Sequence, residues 1–176
     1  MTWRTLFSLA NLLSLTRFPL AAAFALAETT PVRVAILGMA SATDLLDGWI
    51  ARRFGHTSRW GALLDPVADK TFVLVALVSF VLRGDLTIRD LGTILVRDFA
   101  TLLGAVVAWL MPGLDVKRFK ARLPGKVVTV LQLVTLLVLC VAQDWTRPMV
   151  FAVALASIVA IADYTLVLAR ALPRRP

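Results

Sequence analysis

The sequence has one cysteine and one histidine. Cys140 sits in the apolar run LVLC; alone, it excludes an intrachain disulfide and leaves the redox compartment unread. With His56 also single, a metal site built on several imidazole or thiolate ligands is excluded by count. Any bound metal is therefore held mainly by oxygen. There is no internal repeat, no low-complexity tract, and no segment between apolar runs long enough for a soluble domain. Acidic residues are few: 11, against 19 Lys and Arg, for a formal net charge of +8. That surplus does not point to a nucleic-acid partner. The chain is 59% apolar, above the roughly 45–50% of soluble domains, and in a membrane protein Lys and Arg set topology before they serve as ligands.

The apolar residues fall in long runs. A membrane span needs about 20 mostly apolar residues. Six stretches of the 176-residue chain qualify: 11–27, 32–52, 61–82, 90–111, 124–143 and 148–169. The separators Glu28–Pro31, Phe54–Ser58, Arg83–Asp85, Pro112–Leu123 and Asp144–Arg147 are short and carry turn or breaker residues. The expected fold is all-α: a single membrane-embedded domain, 1–176, of six transmembrane helices. A short interfacial helix over 2–10 would carry Trp3 and Phe7 on its apolar side. The first 28 residues imitate a signal peptide, with A-L-A before Glu28. Asn11 and Arg17 interrupt the apolar core, and a first span is the better reading.

Basic residues orient the spans. With the N-terminus in the cytoplasm, the inner segments hold Arg4, Arg52, Arg53, Arg59, Lys117, Arg118, Lys120, Arg122, Lys126, Arg170, Arg174 and Arg175. The outer ones hold Arg33, Arg83, Arg89 and Arg147. Twelve against four selects this orientation, with both termini cytoplasmic. Trp49, Trp60 and Trp109 then fall near cytoplasmic boundaries, as an aromatic belt does, and His56 falls in an exposed turn.

Four aspartates stand out against this background. Asp44 and Asp47 lie near the cytoplasmic end of the second span, Asp65 and Asp69 near the cytoplasmic start of the third. Spacings of i,i+3 and i,i+4 put each pair on one helical face. If the faces meet, four carboxylates share one inward-opening pocket. Carboxylates at membrane depth are costly and functional by default, and crowded like charges cannot all stay ionised. Two partners could resolve the repulsion: basic residues, with Arg52 and Lys70 close in sequence, or divalent cations, for which all-oxygen ligands suit Mg²⁺, Mn²⁺ or Ca²⁺. Gly48 and Gly61 flank the aspartates. Glycine there serves helix packing, or lets a flat ligand lie on backbone. Arg52 adds a phosphate-seeking fork.

The pattern Asp44-x2-Asp47-Gly48-x2-Ala51-Arg52-x8-Gly61-x3-Asp65-x3-Asp69 resembles, at all eight positions, the signature of the CDP-alcohol phosphatidyltransferase family. The resemblance extends to length and span count. It implies a six-helix membrane enzyme, usually a homodimer, in which an alcohol attacks the phosphorus of a CDP-linked lipid and CMP leaves. By that resemblance Asp44, Asp47, Asp65 and Asp69 hold Mg²⁺ or Mn²⁺, and Asp69 doubles as general base. Gly48, Ala51, Arg52 and Gly61 would line the CDP site, which the orientation set by the basic residues places on the cytoplasmic side. The partners implied are CDP-diacylglycerol and an alcohol acceptor.

Two further stretches bear on the acceptor. Asn11–Arg17 (NLLSLTR) and LDPVADK resemble the phosphatidylglycerophosphate and cardiolipin synthase branch. Arg97-Asp98 stands where the first of these usually shows Arg-Glu, and Ala105 stands where they show a second arginine. This wording leans narrowly toward phosphatidylglycerol as acceptor, the cardiolipin synthase reaction, over glycerol 3-phosphate. Arg97, and Lys126 in the stretch Gly125–Gln132, are the candidates to meet acceptor phosphate. The cluster Lys117, Arg118, Lys120 and Arg122 reads first as a positive-inside loop. Asp163, inside the last span, is expected to face neighbouring helices. A divalent-cation transporter is the rival from another class, but a transport path needs polar sites continuing to the far side. Here the acidic residues crowd one end of two helices. A structural scaffold leaves the four aspartates unexplained.

Overall fold

The computed structural model describes the backbone over residues 9–54, 61–110 and 123–171, and side chains over 14–46, 67–104 and 123–167. Residues 2–8 of the expected interfacial helix, the turn with His56, and the run Lys117–Arg122 lie outside the described residues. Among those described, all regular structure is helical: α1 (Leu9–Leu26), α2 (Thr30–Phe54), α3 (Gly61–Arg83), α4 (Ile88–Leu110), α5 (Leu123–Val141) and α6 (Thr146–Ala171), with a single 3-10 turn at Gln143–Trp145. Each helix matches one of the six apolar stretches to within two residues at either end. Two described stretches, Leu123–Val141 and Gln143–Val167, are long and apolar enough to cross a membrane, and Ser14–Leu26 is a shorter apolar helix. The remaining helices carry more ionisable residues, such as Arg33 and Asp44 on α2 or Arg89, Asp90, Arg97 and Asp98 on α4, which lowers their hydropathy.

The chain divides into two compact units, Met1–Asp85 and Leu86–Pro176. In the first, α1 packs against both α2 and α3. The buried residues of α1 are Ser14, Arg17, Ala21 and Phe24, a stripe at helical spacing. On α2 they are Arg33, Ile36, Leu37 and Ala40; on α3 they are Ala68, Phe72, Val73, Ala76, Leu77, Ser79 and Phe80. Alanines in all three stripes let backbones approach closely, the main source of helix attraction where apolar surface meets lipid. Phe24 is fully buried and stacks edge-on with Phe72 and with Phe80, ring centroids 5.9 Å apart in each case.

The C-terminus of α1 needs partners for its last carbonyls. Two arginines provide them. Arg83 donates from Nη2 to the carbonyls of Ala25 (2.9 Å) and Ala27 (2.7 Å), and Arg33 donates from Nε to Ala27 (3.0 Å). The Arg33 guanidinium also lies over the rings of Phe80 (4.9 Å) and Phe24 (5.8 Å). Helix α3 then stops at Gly84, whose φ of +82° is readily open only to glycine. The Gly84 N–H bonds to Val81 and that of Asp85 to Phe80, the paired bonds of a Schellman cap. Thr87 starts α4: its Oγ1 accepts from the Asp90 N–H (3.2 Å) and donates to the Asp90 carboxylate (2.7 Å).

In the second unit, α6 packs against both α4 and α5. Ile94, Val128, Leu136, Leu139, Val153 and Ala160 form its apolar core.

Candidate active site

All four motif aspartates stand in register with the buried stripes of their helices. On α2 the buried positions 33, 36, 37 and 40 continue in register to 44 and 47. On α3 the positions 72, 73, 76 and 80 extend back to 69 and 65. Asp44 is half-exposed at the side chain (52%), and its Oδ1 accepts a hydrogen bond of 2.8 Å from Nη2 of Arg17. Arg17 is buried in the α1 stripe, with its side chain 2% exposed. Asp69 is half-buried on α3 beside the fully buried Ala68.

The relative heights follow from packing. Arg83 at the end of α3 reaches the end of α1, and Phe24 of α1 touches Phe72 and Phe80 of α3, so the two helices run parallel. Arg17 lies seven residues before Phe24, and Asp69 seven residues before the midpoint of Phe72 and Phe80. With about 1.5 Å rise per residue on both helices, Arg17 and Asp69 stand at one level. Arg17 is bonded to Asp44 at that same level. A buried guanidinium from α1 thus bonds Asp44 of α2 at the height of Asp69 on α3.

Sequence reasoning named Arg52 and Lys70 as the nearby cations; it used Arg17 only to argue against a signal peptide and to recognise a subfamily. The available signal was an arginine set in register with Ser14, Ala21 and Phe24. Asp47, Gly48, Ala51 and Arg52 lie on the helical backbone of α2, and Gly61 and Asp65 on that of α3, with side chains outside the described set. Among the described residues no cluster of three or more His, Cys, Asp or Glu side chains occurs. That all four carboxylates share one pocket stays an expectation drawn from helical register.

The second unit holds its own polar cluster. Arg97, on α4, is buried. Its Nη1 donates to Oδ1 of Asp98 (3.0 Å) and its Nη2 makes a long contact with the Tyr164 hydroxyl of α6 (3.4 Å), while the guanidinium lies 5.7 Å from the Tyr164 ring centre. Nε is buried without a hydrogen-bond partner among the described residues. Gln132 of α5 donates from Nε2 to Oδ2 of Asp98 and to the carbonyl of Ile94, both at 2.8 Å. Gly125, buried at the start of α5, lies directly under the Arg97 guanidinium. A Cβ there would collide with Nη2 and come within 2.9 Å of the Tyr164 hydroxyl. Lys126, the next residue, is exposed. Tyr164 and the seat at Gly125 were not anticipated; a lone tyrosine deep in an apolar span was the only hint.

These features define an all-helical protein, consistent with a membrane protein, whose aspartate motif sits on two helices joined by a third. The chain belongs to the CDP-alcohol phosphatidyltransferase family, which it matches over residues 7–168. It is similar to the CDP-diacylglycerol–glycerol-3-phosphate 3-phosphatidyltransferase of Yersinia pestis (strain Pestoides F), 46% identical over 77 residues, 44% of this chain and 41% of that protein. The Haemophilus influenzae protein of the same description is 36% identical over 84 residues, 47% of this chain and 45% of that protein. A probable phosphatidylglycerophosphate synthase of Mycobacterium tuberculosis (strain CDC 1551 / Oshkosh) is 34% identical over 118 residues, 57% of this chain and 56% of that protein. The alignments span about half the length of these relatives. Their names point to glycerol 3-phosphate and leave the lean toward phosphatidylglycerol unsupported. The lean weighed Asp98 against the usual Glu. Here the Asp98 carboxylate bonds Arg97 and Gln132 within its own unit, a task either acidic residue can perform.

Proposed function

We propose that this protein transfers the phosphatidyl group of CDP-diacylglycerol to glycerol 3-phosphate, releasing CMP. The observation that carries the proposal is the eight-position aspartate–glycine motif on α2 and α3 within a family match that spans nearly the whole chain. The relatives' names support glycerol 3-phosphate over phosphatidylglycerol.

In this reading Asp44, Asp47, Asp65 and Asp69 hold a divalent cation. The donor chemistry fits: all ligands are carboxylate oxygens, suited to Mg²⁺ or Mn²⁺. The half-exposed Asp44 keeps its second oxygen beyond the one bonded to Arg17. Such an ion, when bound, neutralises pyrophosphate charge and eases departure of the CMP phosphate. Gly48, Ala51, Arg52 and Gly61 line the CDP site. Asp69 accepts the proton of the attacking hydroxyl; the new O–P bond forms on the lipid phosphate as its bond to the CMP oxygen breaks. Arg97, with a buried Nε donor left over, and Lys126 beside it at Gly125 are assigned to the acceptor's phosphate. The site faces the cytoplasm by the distribution of Lys and Arg, and the enzyme is a homodimer by the resemblance of its motif.

The test uses purified full-length protein in nanodiscs with CDP-diacylglycerol, Mg²⁺ and either glycerol 3-phosphate or phosphatidylglycerol. CMP release with phosphatidylglycerophosphate as product is expected, at least tenfold faster than any reaction with phosphatidylglycerol. Cardiolipin as the dominant product would reverse the acceptor assignment. No CMP release with either acceptor would sink the proposal.

A further inference from the structure

We infer that Arg17 is a positioning residue for the carboxylate site: it fixes the Asp44 side chain so that its remaining oxygen is presented to a divalent cation. The inference rests on the metal-binding role proposed above for Asp44.

Three observations carry it. First, the partners are unequal. Arg17 is 2% exposed and Asp44 52% exposed at the side chain, so the guanidinium is the fixed member and the carboxylate the one that needs holding. Second, Arg17 occupies a packing position. It follows Ser14 and precedes Ala21 and Phe24 in the buried stripe of α1, so helix packing sets its place. Third, α1 packs on both aspartate-bearing helices, and Arg17 stands level with Asp69 on α3 while bonding Asp44 on α2. A buried, packed group therefore bonds Asp44 at the height of Asp69.

Two effects oppose each other when Arg17 is removed. A nearby cation repels a divalent ion, so deleting it would tighten binding. A hydrogen-bonded partner that orients a ligating carboxylate strengthens binding, and its loss typically costs about 10–100-fold in metal affinity. Asp44 is half in solvent, where charge repulsion is strongly screened, whereas orientation depends on one 2.8 Å contact. Orientation wins on these magnitudes. The guanidinium also presents a planar fork that a lysine ammonium lacks, so the arginine is not replaceable by charge alone.

The test is Mn²⁺ binding alone, followed by electron paramagnetic resonance, on the full-length protein in nanodiscs without substrate. Arg17→Gln is expected to weaken Mn²⁺ binding about tenfold. Arg17→Lys should recover part of that loss, and it serves as the measured variant if Arg17→Gln does not fold. In an Asp44→Asn background, Arg17→Gln (or Arg17→Lys in its place) should cause no further loss, because the ligating carboxylate it acts through is gone. Unchanged or tighter binding in the Arg17 variants, or a full additional loss on top of Asp44→Asn, overturns the inference while leaving the metal site itself intact. Absence of saturable Mn²⁺ binding in the unmodified protein overturns both the metal site and the role of Arg17.

Discussion

Single residues decide the local chemistry here through what they touch. Gly125 is the clearest case. Alanine at a helical position gains up to about 1 kcal/mol in propensity. At this position its methyl group would run into the Arg97 guanidinium and crowd Tyr164. Overpacking of that kind costs roughly 1–3 kcal/mol, so the net effect of Gly125→Ala is destabilising. Thermal unfolding in detergent should show a lowered midpoint, and a raised KM for glycerol 3-phosphate should accompany it if Arg97 meets acceptor phosphate. An unchanged midpoint would mean that the guanidinium moves aside freely. The sequence made Gly125 visible only as part of a familiar stretch. Its reason for being glycine lies on α4 and α6, 28 and 39 residues away in the chain, where Arg97 and Tyr164 meet it.

At the level of elements, helix ends were more legible than helix contacts. Gly84 ends α3 and Thr87 with Asp90 begins α4 through bonds formed within a few residues, so local sequence suffices to place them. The end of α1 is different. It has no basic residue in its own last turn, and its carbonyls are met by Arg33 and Arg83 from other helices. Positive-inside counting reads those arginines as outer-loop charges, because it sees only number and side. Arg83→Ala removes two hydrogen bonds from charged donors at an exposed helix end, where such contacts are worth about 1 kcal/mol in total after screening. A drop of that order in unfolding free energy is expected, with Arg83→Lys recovering part of it. A larger loss would show that Arg83 packs more than its exposure suggests.

For the whole molecule, the proposed orientation is the open quantity most directly tested. Cys140 is the single cysteine, so Cys140→Ser gives a background free of thiols. In intact cells a membrane-impermeant maleimide should label Asp85→Cys at once and Arg118→Cys only after permeabilisation. The opposite pattern would invert the topology and carry the aspartate site to the other face. The division into two compact units adds a fact that hydropathy could not supply, since six similar apolar runs say nothing about which run packs on which. In the first unit α1 joins α2 and α3; in the second α6 joins α4 and α5.

The sequence by itself determined the helical class, the limits of the six long helices among the described residues, and the motif that names the family. These depend on composition, on period and on fixed spacing along one chain. Tertiary structure alone decided that Arg17 meets Asp44. Arg17, 27 residues away in the chain, bonds Asp44 because α1 packs on α2 and places a buried guanidinium at that height. Likewise it decided that Arg97 is held by Tyr164, Asp98 and the bare backbone of Gly125. Contacts of this kind depend on which helical faces meet, and a one-dimensional pattern fixes each face without fixing its neighbour.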